Sequence, residues 1–242
     1  MSVTIIATPT HPDANSYLTV AEADAMITNR PNTQNWGDLT ADQKAYALVM
    51  ASEQIDALRF FDEKYYNQSR EYRRKQSLSF PQRSSQSAKV KVNSVEANAV
   101  VCGQLANRTN MPDDHWNGGA LVVSDGTGKG QTYQISDFDM ATGKVTISEN
   151  FATQPDSLTS YVTVIMPVPD KVKRAVVEQA LFISSGGGER SQLQAEGVKS
   201  YSIGDLSETY GDGASSGGEM PISVQAKAHL KGLISRIGRI SR

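Results

Sequence analysis

A single cysteine, Cys102, in 242 residues excludes an internal disulfide framework and a cysteine-based zinc site. Set in the apolar run "AVVCGQL", that thiol reads as a buried structural group and not as a nucleophile. Histidine is nearly as scarce, with three residues: His11 in the opening arm, His115 in "PDDHWNGG" and His229 near the end. None lies in a nucleophile or metal-ligand motif, and the patterns H-E-x-x-H and G-x-G-x-x-G do not occur. Asp113, Asp114 and His115 are adjacent in a loop and cannot converge on one ion without ligands from elsewhere. Asp137 and Asp139 in "SDFDM" read as turn residues, because calcium needs more converging oxygens than this loop offers. No catalytic site, no cofactor and no metal are therefore expected. An excess of charge of one sign is also missing: 24 Lys and Arg against 26 Asp and Glu leave a formal −2, so no global field marks a nucleic-acid or membrane surface. No apolar run approaches the ~18 residues of a bilayer span. The opening "MSVTIIATPTHPD" has no basic leader before an apolar core. A soluble, cytoplasmically made protein without a membrane partner is expected.

What is present first draws the eye to "DGTGKGQ", Asp125 to Gln131. A phosphate-binding P-loop needs G-x-x-x-x-G-K-[ST] between a strand and a helix. Here Lys129 precedes Gly130, the first glycine position is Val123, and the following "QTYQISDFD" alternates as a strand does. The stretch therefore predicts a turn between strands whose lysine is a surface charge.

Two capping boxes predict helices: Thr19 with Glu22, and Thr40 with Gln43. The first helix has Ala21, Ala25 and Met26 for an apolar face and ends before Pro31. The second places Ala45, Leu48, Val49, Ser52, Ile55 and Leu58 on one side, and Trp36 in the link is expected to pack across both. From 87 to 166 short β-rich runs alternate with Gly, Asp, Asn and Pro clusters, the grammar of a small all-β sandwich or barrel. Helix returns at "PDKVKRAVVEQALFISSG", "GVKSYSIGDLSETY" reads as a β-hairpin, and 211–219 as a flexible Gly/Ser linker. A last helix, "PISVQAKAHLKGLISRIG", carries Val224, Ala228, Leu230, Leu233, Ile234 and Ile237 in an apolar stripe and ends basic. The expected fold is α+β: a helical domain (1–86 and 167–242) of about four helices and a β-hairpin, with an all-β sandwich or barrel domain inserted at 87–166.

Basic residues mix with aromatics in "FFDEKYYNQSREYRRKQSLSFPQR". Arg70, Arg73, Arg74 and Lys75 are the candidate nucleic-acid or subunit contact, since stacking and phosphate pairing together hold single strands. The bland alternative is a polar loop whose tyrosines pack on the core. At the other end Lys231, Arg236, Arg239 and Arg242 form a second basic group.

Several stretches carry a resemblance. "SYLTVAEADAMITNR…WGDLTADQKAYALVMASEQID…QSLSFPQR", with Tyr17, Thr19, Ala23, Asp24, Trp36, Ala51, Ser52, Ile55, Asp56, Gln76, Leu78, Phe80 and Pro81 at the matching positions, resembles the head–tail connector (adaptor, head-completion) proteins of tailed bacteriophages. Gln82 stands where that family has arginine, with Arg83 one place on. "VPDKVKRAVVEQAL", "GVKSYSIGDLSETY" and "PISVQAKAHLKGLI" resemble the family's later segments, and the insert resembles a β module of phage structural proteins. Some members carry a DnaT-like single-stranded-DNA-binding label. The resemblance implies a virion neck protein made in the host cytoplasm, which assembles as a homo-oligomeric ring of about twelve copies. It would bind the portal protein, dock a tail or nozzle protein, and pass double-stranded DNA. Lys231, Arg236, Arg239 and Arg242 would then meet portal or DNA. Two other roles stay open: a single-stranded-DNA-binding replication accessory protein, and, ranked last because the insert has few aromatics (Trp116, Tyr133, Phe138, Phe151, Tyr161), a carbohydrate- or receptor-binding structural protein with the β insert as its binding module.

Overall fold

The computed structural model describes residues 3–28, 30–31, 33–65, 76–109, 111–186, 200–203, 206–209 and 221–235. The chain divides into two compact units: Met1–Thr4, Leu18–Leu58 and Lys171–Gly232 in one, and Ile5–Tyr17, Arg59–Asp170 and Leu233–Arg242 in the other.

The first unit is helical. Helix α1 (Val20–Ile27) opens on a complete capping box, with the Thr19 N–H donating to Glu22 Oε2 at 2.7 Å and the Glu22 N–H to Thr19 Oγ1 at 3.2 Å. Its buried residues are Ala23 and Ile27, while Ala21 and Ala25 face solvent. The helix is thus rotated from the expected face, since small alanines give no strong preference for either side. A four-residue turn, α2 (Gln34–Gly37), buries Trp36, and α3 (Ala41–Asp56) opens on the second capping box, Thr40 with Gln43. Helix α3 buries Ala45, Ala47, Leu48, Ala51, Ser52 and Ile55. Each fully buried Leu or Ile contributes about 1.5–3 kcal/mol relative to exposure. Helix α4 (Asp170–Ser184) buries Val172, Ala175, Val176, Val177, Gln179 and Ala180. Two polar groups tie these pieces together. Asp24 Oδ1 accepts from Trp36 Nε1 at 2.7 Å and from Lys44 Nζ at 3.0 Å, joining α1, α2 and α3. Burial works against the Asp24 charge, but these two donors outweigh it and hold the carboxyl below its ordinary range. Fully buried Gln179 donates to Gln54 Oε1 and to the Pro221 carbonyl, and accepts from the Ser223 N–H at 2.8 Å.

The second unit is built on a seven-stranded antiparallel sheet in the order β1-β7-β4-β5-β6-β3-β2. The strands are β1 (Ser87–Lys91), β2 (Ser94–Val95), β3 (Ala99–Val101), β4 (Ala120–Asp125), β5 (Thr132–Asp139), β6 (Lys144–Ile147) and β7 (Tyr161–Ile165). Strand β5 holds the sheet together by changing partner along its length. Thr132–Gln134 pair with β4, and from Ile135 the strand pairs with β6, with a register shift between Ile135 and Asp137 inside that pairing. The extra residue reverses the inward phase, so Tyr133 and Ile135 are followed inward by Phe138 and not by Asp137. The core under the sheet gathers Val90, Leu121, Ile135, Phe138, Val145, Val162 and Val164 around Trp116 and Leu105. Cys102 is fully buried here, and desolvation pushes its thiol up to about 12.

A separate hairpin joins β8 (Ser200–Ile203) to β9 (Leu206–Thr209). The expected long final helix is only α5 (Val224–His229). Gly232 takes φ 89°, a conformation that ends helices. The chain beyond it pairs with another segment: Leu233 O accepts from the Phe61 N–H at 3.0 Å, the Ser235 N–H donates to Arg59 O at 2.8 Å, and Phe60 bridges Ile234. Leu233 and Ile234 therefore do not extend a helical stripe.

The expected fold, a helical domain of about four helices and a hairpin carrying a sandwich or barrel insert, is not what forms. The principal element is one open antiparallel sheet with β1 and β2 at the ends of its order, and among the described residues only α3 and α4 exceed eight residues. Amphipathic spacing shows where helices can start but not how soon competing backbone pairing ends them. Alternation likewise marks strands without their order, here set by β7 entering between β1 and β4, a pairing distant in sequence. Among the described residues no helix is long and apolar enough to cross a membrane.

Candidate nucleic-acid interface

Residues 59–65 and 76–86 form two antiparallel limbs around the bridge Lys64–Gln82. The Tyr65 N–H donates to Pro81 O at 3.0 Å and the Arg83 N–H to Glu63 O at 2.8 Å. Side chains reinforce this short ladder. Gln76 Nε2 donates to Leu78 O and Pro81 O, both at 2.8 Å, and Lys64 Nζ donates to Ser77 O. Asp62 Oδ2 accepts from the Ser84 N–H at 2.8 Å, and hydrogen bonds from Ser84 hold its carboxyl below the usual range. On the inner side Phe80 is packed edge-on by Phe60, at 4.8 Å between centroids, and by Tyr17 at 6.0 Å. The Tyr17 hydroxyl also accepts from the Ser79 N–H at 3.0 Å. The Phe80–Pro81 bond is cis.

The outer side is different. Phe61 is 68% exposed. Arg83 and Glu63 side chains are 71% and 75% exposed and stand 3.9 Å apart, a loose ion pair. Residues 66–75 join the two limbs, so Arg70, Arg73, Arg74 and Lys75 lie outside the described residues. So do Arg236, Arg239 and Arg242; Lys231 is described and exposed, in the turn after α5. Phe61 was not singled out by residue pattern, although the doublet Phe60-Phe61 in an extended limb must send one ring each way.

The glycine turn offers no comparable surface. Three of its amides are occupied: Gly130 N–H donates to Val123 O, Lys129 N–H to Gly126 O and Gln131 N–H to Gly128 O. Lys129 and Lys89 both meet Asp125. Asp156 accepts from the Leu158 and Thr159 amides and the Thr159 hydroxyl. The Thr127 and Thr159 hydroxyls and these amides depress its pKa. Asp113 and Asp114 are likewise spent on Met140 N–H and Asn117 Nδ2, and His115 Nε2 lies 3.2 Å from Gln86 Oε1. Of the insert's aromatics, Trp116, Tyr133 and Phe138 are buried and Phe151 packs on Tyr133. Tyr161 is 38% exposed, beneath Lys89. Among the described residues no group of three or more His, Cys, Asp or Glu could hold a metal ion.

Residues 1–108 match the family described as "Putative DnaT-like ssDNA binding protein". The matched span contains both limbs and the residues between them. No curated protein and no solved structure matches the chain. The match overturns the bacteriophage head–tail connector reading: it covers the Tyr17–Pro81 stretch on which that resemblance mainly rested, and describes DNA binding and not virion assembly, portal docking or DNA ejection. The capped helices and the Pro-ended strand that carried the resemblance specify local structure more than role. The match carries nothing about a ring, a portal or a tail.

Proposed function

We propose that this chain binds single-stranded DNA as an accessory to replication, through the segment 59–86. The observation that carries the reading is the position of the matched family span, 1–108, over the one segment where basic and aromatic residues interleave. The paired limbs support it physically, because 59–65 and 76–86 hold one another by backbone and side-chain hydrogen bonds on either side of that basic run. Arg70, Arg73, Arg74 and Lys75 would release counterions from the phosphates, and Tyr66 and Tyr72 would stack on bases. A duplex keeps its bases stacked on one another, so rings gain little from it and single strands are preferred.

The test is fluorescence anisotropy of a labelled oligothymidylate across a salt series. Binding should weaken with salt. Replacing Arg70, Arg73, Arg74 and Lys75 together by Gln should lower the slope of log K against log salt by about 3, at about 0.7 per phosphate contact. No binding at low salt would end the proposal.

A further inference from the structure

The pairing of the limbs places Phe61, Glu63 and Arg83 on one exposed side. With Lys64 opposite Gln82, residue 63 lies opposite 83. Exposure agrees: Phe61, Glu63 and Arg83 are exposed, whereas Asp62 and Lys64 are half-covered and Gln82 is buried. Phe61 and Glu63 are two residues apart on one limb, about 7 Å at the usual strand rise. The backbone under Phe61 is fixed, since its N–H is tied to Leu233 O and its neighbour Phe60 is wedged against Phe80. A large ring held out in water on an anchored backbone has only its side-chain torsions left to fix on stacking. Arg83 next to it is anchored by its own N–H, and among the described residues its guanidinium makes a loose ion pair with Glu63 and a weaker electrostatic contact with Asp62. The other carboxylate of this limb, Asp62, is turned onto Ser84.

We infer that this face is a nucleotide subsite: Phe61 stacks on one base, Arg83 pairs with an adjoining phosphate, and Glu63 is the anion that the phosphate displaces. The subsite rests on the single-stranded-DNA reading and adds to it three residues outside the basic run 70–75. Glu63 makes it self-limiting. In the free protein it holds Arg83, and its charge opposes every phosphate that arrives, so the site engages DNA less tightly than its ring and guanidinium alone would allow.

The experiment compares the full chain with Phe61→Ala, Phe61→Trp, Arg83→Gln and Glu63→Gln, on an oligothymidylate and on the same strand with abasic positions. Phe61→Ala should weaken binding to the ordinary strand by about 5- to 100-fold, the range for one stacked base, and should change binding to the abasic strand little. Phe61→Trp should bind at least as well as the parent. Arg83→Gln should lower the salt slope by about 0.7. Glu63→Gln should tighten binding by about two- to five-fold, the worth of a surface ion pair. If the parent binds but Phe61→Ala binds equally well, or loses the same factor on the abasic strand, the subsite is wrong and the broader reading stands. If the parent binds no oligonucleotide at low salt, both fall.

Discussion

The turn at 126–130 and the limbs at 59–65 and 76–86 carry similar residues, and the fold puts them to opposite uses. Both offer lysine or arginine beside polar loop residues, and by composition either could meet a phosphate. In the turn the lysines and several amides are answered from within: the Lys129, Gly130 and Gln131 amides by carbonyls, Lys129 and Lys89 by Asp125, Asp156 by hydroxyls and amides. In the limbs the backbone is answered, while Phe61 stands in solvent and exposed Arg83 has only weak ionic contacts among the described residues, a 3.9 Å pair with Glu63 and an electrostatic one with Asp62. The difference separates a loop that stabilises a sheet from one that can bind. Residue type does not decide between them; the hydrogen bonds left over do.

The largest effect expected from breaking this contrast is on the limbs themselves. Phe80→Ala removes a ring that is 3% exposed and touched by two others, so it should cost about 3–5 kcal/mol in urea unfolding. It should weaken oligonucleotide binding as well. Gly126→Ala comes next. Its φ is 82° and an added Cβ would meet the backbone of Thr159 and Ser160 at 2.6 Å, which predicts a loss of about 2–3 kcal/mol. Affinity of the folded variant for DNA should be unchanged, because the proposed DNA contacts lie in 59–86 and not in the turn.

Acid should sharpen the contrast further. The pKa of Asp156 is depressed in the folded state by the Thr127 and Thr159 hydroxyls. Its contribution is therefore complete above the unfolded carboxyl pKa, about 3.9, and is lost as pH falls towards the lower folded value. Asp156→Asn should be less stable than the parent at neutral pH, and the gap should close in acid, as followed by urea midpoints from pH 6 downward. The smallest effect is expected at Lys129→Gln. Because Lys129 already faces Asp125 at 3.4 Å, affinity and salt slope for DNA should stay within about two-fold of the parent.

Much of the local structure could be read from residue order, and for physical reasons. The capping boxes at Thr19–Glu22 and Thr40–Gln43 are reciprocal contacts over three residues, so short-range chemistry is enough to predict them. The turn after Asp139, with Gly143 at φ 70°, was legible in the same way. What could not be read depends on distant partners. Ile234 leaves the helical pattern because Phe60, far back in the chain, takes its backbone. Phe138 and not Asp137 points inward because β5 shifts register along β6 between Ile135 and Asp137. The sheet order, with β7 beside both β1 and β4, is invisible to alternation. At the candidate site the basic run 70–75 was plain by composition, whereas Phe61 and Arg83 became a pair only when Lys64 was seen opposite Gln82.

The comparison between the two loops is tested most directly by ultraviolet cross-linking of the full chain to a single-stranded oligonucleotide, with the attachment sites mapped by mass spectrometry. Cross-links confined to Phe61, Tyr65, Tyr66 and Tyr72 are predicted. Cross-links falling instead at Tyr161, beside Lys89 on the sheet, would contradict the account.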